Sequence, residues 1–145
     1  MTANAELAHR FVGSYTGTDI CPHVEDLFAP TVSVWHNYDA QRQDIPGPMY
    51  ARAMMWKVGG CAERIPDYAD RVDHLHVATD AIVVAARATG TLPDGSPLDV
   101  PRCLILSVED GRIARVDSYG DRAHHSPLDE ILPYDEMFKA IGHEQ

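Results

Sequence analysis

Basic side chains are scarce in this sequence: twelve Lys and Arg stand against twenty-two Asp and Glu, for a formal net charge of −10. They are also scattered, so no positive stripe is available for a phosphate backbone, which argues against nucleic acid as a partner. Cysteine is equally sparse. Cys21, Cys61 and Cys103 are odd in number and far apart, with no CxxC pair. That excludes a disulfide framework and makes a reducing cytoplasm the expected location. No apolar run approaches the roughly 20 residues that a membrane-spanning helix needs, so no membrane partner is expected. Met1 to Leu7 is polar and lacks the apolar core of a signal peptide. The P-loop, the GxGxxG fingerprint and the nucleophile elbow are all missing, and no cofactor is expected. Internal repeats, linkers and low-complexity segments are missing too.

What is present is an ordinary globular composition. Hydrophobic residues make up 45% of 145 positions, enough for one domain, residues 1–145, with a buried core. Thr2 or Asn4 can cap a first helix and Glu6 suits its positive end. Leu7, Phe11 and Tyr15 recur at four-residue spacing as its buried stripe, joined by Ala8 and Val12, and Gly17 ends it. Pro22 suits the first turn of a second helix, with Val24, Leu27 and Phe28 as its apolar face and Pro30 as its stop.

From Thr31 to about Tyr38 the pattern alternates as a strand does. Val32, Val34 and His36 share one face, with Ser33, Trp35 and Asn37 on the other. If the valine face looks inward, His36 ends an apolar line pointing into the interior, and imidazole suits proton exchange near neutral pH. Asp39 to Pro48, with Pro46-Gly47-Pro48, reads as a loop at the mouth of that interior. Pro48 starts a third helix carrying Met49, Met54, Met55, Trp56 and Val58, and Gly59-Gly60 is expected to end it.

Four strands follow. Tyr68–Ala78 alternates imperfectly, which predicts a bulge. Ala81–Leu92, Leu98–Val108 and Ile113 to about Asp121 are separated by the turns Pro93-Asp94-Gly95-Ser96 and Glu109-Asp110-Gly111-Arg112. Ser126-Pro127-Leu128-Asp129 has a helix-start signature, so a C-terminal helical extension is expected from about residue 126. Leu128, Ile131 and Leu132 would form its short apolar face before Pro133, with Met137, Phe138 and Ile141 continuing beyond it. Helices mostly first and antiparallel strands mostly last define an α+β class. The expected architecture is a curved antiparallel sheet wrapped around the N-terminal helices, with a cone-shaped central pocket.

Several stretches resemble the SnoaL-like group of the nuclear transport factor 2-like superfamily, the cystatin-like α+β cones. They are Leu27-Phe28-Ala29-Pro30, Val34-Trp35-His36-Asn37, Gly90-Thr91-Leu92-Pro93-Asp94-Gly95, and Asp110-Gly111-Arg112-Ile113 leading to Ser118-Tyr119-Gly120-Asp121. The resemblance runs to about Leu128 and implies a cone-shaped barrel. It leaves function open, because the superfamily holds isomerases, dehydratases, cyclases, epoxide hydrolases and non-catalytic binders. Ketosteroid isomerases carry a carboxylate base where this chain has His36, and an oxyanion-holding tyrosine where it has Phe11. The Asp-Arg-Asp relay of limonene epoxide hydrolases falls on Arg87, Ala85 and Ser118, so that relay is missing. SnoaL-like cyclases use an Asp near the end of the last strand, and Asp121 is the matching residue.

The expected catalytic residues are therefore His36 as general base and Asp121 and Tyr119 as acid and donor. Tyr15, Val34, Met55, Trp56, Arg87, Arg102 and Ser118 are the expected substrate-binding residues. Counting back from the hairpin turn places Arg87 and Arg102 on one inward face, beside Ala85 and Val100, where guanidinium groups would hold an anionic or enolate-like group. Cys103 has the opposite parity to Arg102. His74-x-His76 puts two imidazoles on one strand face without a third ligand, and His124-His125 read as exposed, so no metal is expected. The function expected is proton transfer on a small, mostly apolar carbonyl or hydroxyl compound: isomerisation, dehydration or aldol-type cyclisation without a cofactor. The rival is a non-catalytic ligand-binding or dimeric interaction module. Trp35, Val84 and Val116 would form an apolar outer patch and favour a homodimer.

Overall fold

The computed structural model describes residues 2–140. Helix α1 spans Ala3–Thr16; the Thr2 hydroxyl accepts from the Ala5 N–H at its start, and Gly17, at φ 76°, closes it in the left-handed region. Leu7, Ala8 and Phe11 are buried, as their spacing requires. The expected second helix is a single 3-10 turn, Val24–Leu27, and strand β1 (Phe28–His36) already begins before Pro30. Pro30 survives inside the strand because the ladder to the neighbouring strand shifts register between Phe28 and Ser33. A residue lacking an N–H costs little at such an irregularity.

A short strand, β2 (Gln43–Pro46), lies where a loop was expected, pairing Ile45 with Val32 and Gln43 with Val34. Helix α2 (Gly47–Arg64) passes through Gly59-Gly60 instead of ending there. Packing overrides local propensity: a Cβ on Gly60 would stand 2.6 Å from the Leu132 side chain, so the glycine lets the C-terminal segment press against the helix.

Strands β3 (Ala69–Val77), β4 (Ala81–Thr91), β5 (Pro97–Glu109) and β6 (Arg112–Gly120) form the meander, and β3 carries the expected irregularity, between Val72 and His74. Asp110 and Gly111, both at positive φ, make the β5–β6 turn. The sheet order is β2-β1-β6-β5-β4-β3. The sheet is curved and open. One pair, β1 with β6, is parallel, so it is mixed rather than antiparallel throughout. That pairing follows from chain order, because β1 leaves its hairpin partner β2 at the edge and takes the returning β6 on its other side.

Helix α3 (Arg122–Ile131) starts four residues before the expected Ser126, capped by the Asp121 carboxylate, which accepts from the Ala123 N–H at 2.8 Å. Pro127 falls inside it, and the Ser126 hydroxyl points at the Ala123 carbonyl that Pro127 leaves without an N–H. Helix α4 spans Tyr134–Ala140. The Phe138 side chain and Ile141 lie outside what the structure describes.

The main core joins Leu7, Phe11, Leu27, Phe28 and Met54 to the inner residues Val32, Val84, Leu106 and Val116. A satellite core of Cys61, Ile65, Leu98, Val100, Leu128 and Leu132 closes the other end. Val84 and Val116 are 0% and 1% exposed, so they cannot belong to an outer patch. Strand pairing sets their parity, with Val84 opposite Leu104 and Val116 between Leu106 and Val34, all on the inner face, which strand length alone does not fix. The outer face instead carries Trp35 and Tyr119, edge to face at 5.7 Å, with Val83, Ala85, Cys103 and Ile105 along the middle strands.

Candidate functional site

A cavity of about 220 Å³ opens between α2, α3 and the inner face of β5 and β6. Its walls are mainly apolar, formed by Ile45, Met54, Val58, Val100, Leu104 and Val116, with two polar groups of side chains set into them.

The first polar group begins with His36 at the end of β1. The turn after it places Asp39 so that one carboxylate oxygen, Oδ2, lies 2.9 Å from His36 Nδ1 and also accepts the His36 backbone N–H at 2.9 Å. The Asp39 N–H returns a bond to the His36 carbonyl, and Trp35 Nε1 donates to the Asp39 carbonyl. An ionised Asp39 fixes the proton on Nδ1 and leaves Nε2 with its lone pair free, the tautomer a general base needs. Nε2 has no partner among the described residues, and the imidazole lines the cavity. Tyr38 stacks on it at 5.5 Å, and the Arg122 guanidinium lies over the Tyr38 ring at 5.1 Å from its centre. Burial, then Asp129 and Asp39, push the Tyr38 hydroxyl up. Ser118, paired with His36 across the parallel ladder, lines the same region.

The second polar group lies on β3, β5 and the two long helices. Arg102 points inward and donates to the Tyr15 hydroxyl through Nε, to the Asp70 carboxylate through Nη2, and to the Val100 carbonyl at 3.2 Å. The Arg102 and Asp70 side chains are only 11% and 4% exposed. Burial opposes charge on Arg102, but Tyr15 and Asp70 outweigh it and hold the guanidinium ionised. Burial pushes the Asp70 carboxyl up against the pull of Arg102. Its Oδ1 is buried without a partner among the described residues, while Oδ2 also receives Tyr68 at 3.5 Å. Burial likewise pushes the Tyr15 hydroxyl up, so it stays a proton donor. Since it accepts from Arg102, its own proton remains for an oxygen in the cavity, an arrangement that can steady an oxyanion.

The expected residues divide accordingly. His36, Tyr15, Arg102, Ser118 and Asp121 line the cavity. Asp121 does so while capping α3, with its side chain 59% exposed. Val34 and Met55 pack in the main core, and Trp56 packs against the satellite core. Tyr119 is on the outer face. Arg87 is also outside, paired with Asp99 at 2.6 Å. The hairpin joins Thr91 to Pro97, which sets Arg87 opposite Pro101 and Arg102 opposite Ala86, so the two arginines occupy opposite faces. Phe11 is core, but Tyr15 one helical turn later brings a hydroxyl to the cavity.

Asp39, Tyr68, Asp70, Lys57 and His125 were not anticipated. His125 was read as exposed, yet its side chain is 13% exposed and faces the cavity. Lys57 carried a legible signal: it interrupts the stripe Met54, Val58 and Cys61 on the buried side of α2. Asp70 could not be placed from sequence, because its parity depends on the β3 bulge. His74 and His76 stack on the outer face at 6.3 Å. Among the described residues no group of three His, Cys, Asp or Glu is arranged to hold a metal.

With fold and cavity described, the class is that of the nuclear transport factor 2-like folds. The SnoaL-like domain profile matches residues 8–116, and the chain belongs to that family. Among solved structures it is similar to a candidate SnoaL-like polyketide cyclase from Jannaschia sp. CCS1, at 19% identity over 90% of this chain and 92% of that one, TM-score 0.60. It is also similar to Bal32a from a soil-derived mobile gene cassette, at 19% identity over 93% and 95%, TM-score 0.62. A candidate ketosteroid isomerase from Kribbella flavida matches at 20% identity over 82% and 77%, TM-score 0.57. At these identities the likeness is one of fold. No curated protein sequence matches the chain.

Proposed function

We propose that the protein is a cofactor-independent isomerase, dehydratase or cyclase that moves protons on a small, mostly apolar carbonyl or hydroxyl compound. One observation carries this reading: a single apolar-walled cavity holds both an imidazole oriented by a carboxylate, His36 with Asp39, and a hydroxyl donor backed by a guanidinium, Tyr15 with Arg102. His36 Nε2 takes the proton from the carbon next to the carbonyl. Tyr15 donates to the carbonyl oxygen, and Arg102 supports the charge that develops there. Asp121 and Ser118 lie on the lining as further polar contacts, whereas Tyr119 and Arg87, on the outer face, have no part.

The test is solvent deuterium exchange at the α-carbon of small cyclic ketones, followed by proton NMR. Wild-type protein should catalyse exchange, and His36→Ala should lower the rate by about 10²–10⁴ while leaving thermal unfolding unchanged. Full exchange by the variant removes His36 as the base. Saturable ligand binding without exchange favours the rival, a non-catalytic binding module, to which the buried Arg102–Asp70 ion pair also lends itself. We further infer a homodimer through the outer sheet face, where Tyr119 is exposed and Trp35, Val83 and Ile105 are partly exposed in one chain.

A further inference from the structure

The proton-transfer reading leaves one nucleophile in the cavity without a task. Lys57 stands on the buried stripe of α2 and lines the cavity. Its hydrogen bond joins Nζ to His125 Nε2 at 2.9 Å, and among the described residues no carboxylate lies within ion-pair distance of it. Lysine on a surface is a solvated cation; lysine under a surface ordinarily has a carboxylate. Here the partner is an imidazole instead.

The groups around this amine come from several elements. His125 and Asp129 face it from α3, Arg102 from β5, Asp70 from β3, and Cys61 from its own helix. Burial and then the Arg102 guanidinium push the Lys57 ammonium down from the ordinary lysine range, against weaker opposing effects of Cys61, Asp129 and Asp70. Burial and Lys57 itself push His125 down to about 4, so the imidazole is neutral at physiological pH. Its Nδ1 is buried, with Asp129 Oδ1 at 3.2 Å but off the hydrogen-bond line. The proton therefore belongs on Nδ1, toward Asp129, and Nε2 offers its lone pair to the amine.

We propose that Lys57 is an amine nucleophile for aldehydes or ketones admitted to this cavity, with His125 shuttling its proton. Lys57 Nζ attacks the carbonyl carbon; a carbon–nitrogen bond forms as the carbonyl electron pair moves to oxygen. His125 Nε2 carries two protons in turn from the nitrogen to that oxygen, the first making the carbinolamine hydroxyl and the second making it a departing water. The carbon–oxygen bond then breaks, water leaves, and an imine remains. Amine plus carbonyl gives imine plus water, so no oxidant or reductant is required. Asp70 Oδ1, an unpartnered acceptor on the same wall, suits a hydroxyl-bearing intermediate. This site goes beyond the His36 reading and does not depend on it.

The test uses the whole wild-type chain, butanal as probe, and sodium cyanoborohydride to trap the imine, with peptide mapping by mass spectrometry. The sequence offers a built-in reference, because the only other lysine is the exposed Lys139. Lys57 should be alkylated about ten-fold faster than Lys139 at pH 7, since a larger fraction of it is unprotonated, and the advantage should shrink by pH 10. His125→Gln should lower the Lys57 rate about ten-fold and leave Lys139 unchanged. Labelling of Lys57 no faster than Lys139 overturns the proposal, as does a His125→Gln protein that folds and labels at the wild-type rate. Failure of trapping with His36-dependent deuterium exchange intact removes the amine alone; trapping without exchange removes the proton-transfer reading alone.

Discussion

Asp39 Oδ2 meets both the backbone N–H and the ring Nδ1 of His36, each at 2.9 Å. A residue three positions further along the chain thus fixes the direction and the tautomer of the imidazole at once. Asp39→Asn keeps the size of the side chain but replaces the ionised acceptor. α-Carbon exchange should fall by roughly ten-fold or more, with little change in melting temperature, since the two side chains are 35% and 36% exposed. Exchange at the wild-type rate would show that Asp39 does not orient the base.

Tyr15→Phe removes the only hydroxyl that α1 brings to the cavity. The lost hydrogen bond should cost about 1 kcal/mol of stability. Exchange should fall by about 10²-fold if the hydroxyl steadies the developing oxyanion. Denaturant unfolding and ketone exchange on the same samples separate the two effects.

Arg102→Met should be the most damaging single change in the cavity. It leaves Asp70 buried, with neither its guanidinium nor a partner on Oδ1. Truncating one side of such a pair costs roughly 3–5 kcal/mol. Adding Asp70→Leu should recover a large part of the loss, which urea titration of the single and double variants would reveal. An additive double variant would mean the two side chains do not act as a pair.

Acid should unfold the protein earlier than its carboxylates alone require. Burial and then Lys57 push His125 in the folded chain down to about 4, below the value of about 6.5 that it has when unfolded. Between those values the unfolded chain binds the extra proton, so this contribution to stability is complete above about pH 6.5 and is lost as pH drops toward 4. Asp70, pushed up by burial, contributes with the opposite sign. The comparison that isolates His125 is its replacement: His125→Gln should flatten the slope of stability against pH in that window. An unchanged slope would assign the acid sensitivity elsewhere.

A charge on the outer sheet face should leave the fold intact and change assembly. Ile105 lies opposite Val83 on β4 and Asp117 on β6. Asp117 itself is held below the usual carboxylate range, because hydrogen bonds from Arg42 and Arg115 outweigh its burial. Ile105→Glu should convert a dimer to monomer in sedimentation at micromolar concentration, with an unaltered circular dichroism spectrum. A wild-type protein that sediments only as monomer would sink the homodimer.

Periodicity alone determined much of this protein. The four-residue spacing of Leu7, Phe11 and Tyr15 set the buried face of α1, and the alternation of Val32, Val34 and His36 aimed the histidine at the interior. Asp110-Gly111 marked a turn that needs positive φ. These are local properties, written in neighbouring side chains. Tertiary structure decided the rest. Which way Arg87 and Arg102 point depends on the pairing across the hairpin, where one residue of register exchanges the faces. Asp70 reaches the cavity only through the bulge in β3, and α2 passes two glycines because Leu132 packs on one of them. Lys57 and His125 stand 68 positions apart in the chain. No local pattern encodes their meeting; it follows from α3 packing on β5, where Leu128 joins Cys61 of α2 in the satellite core.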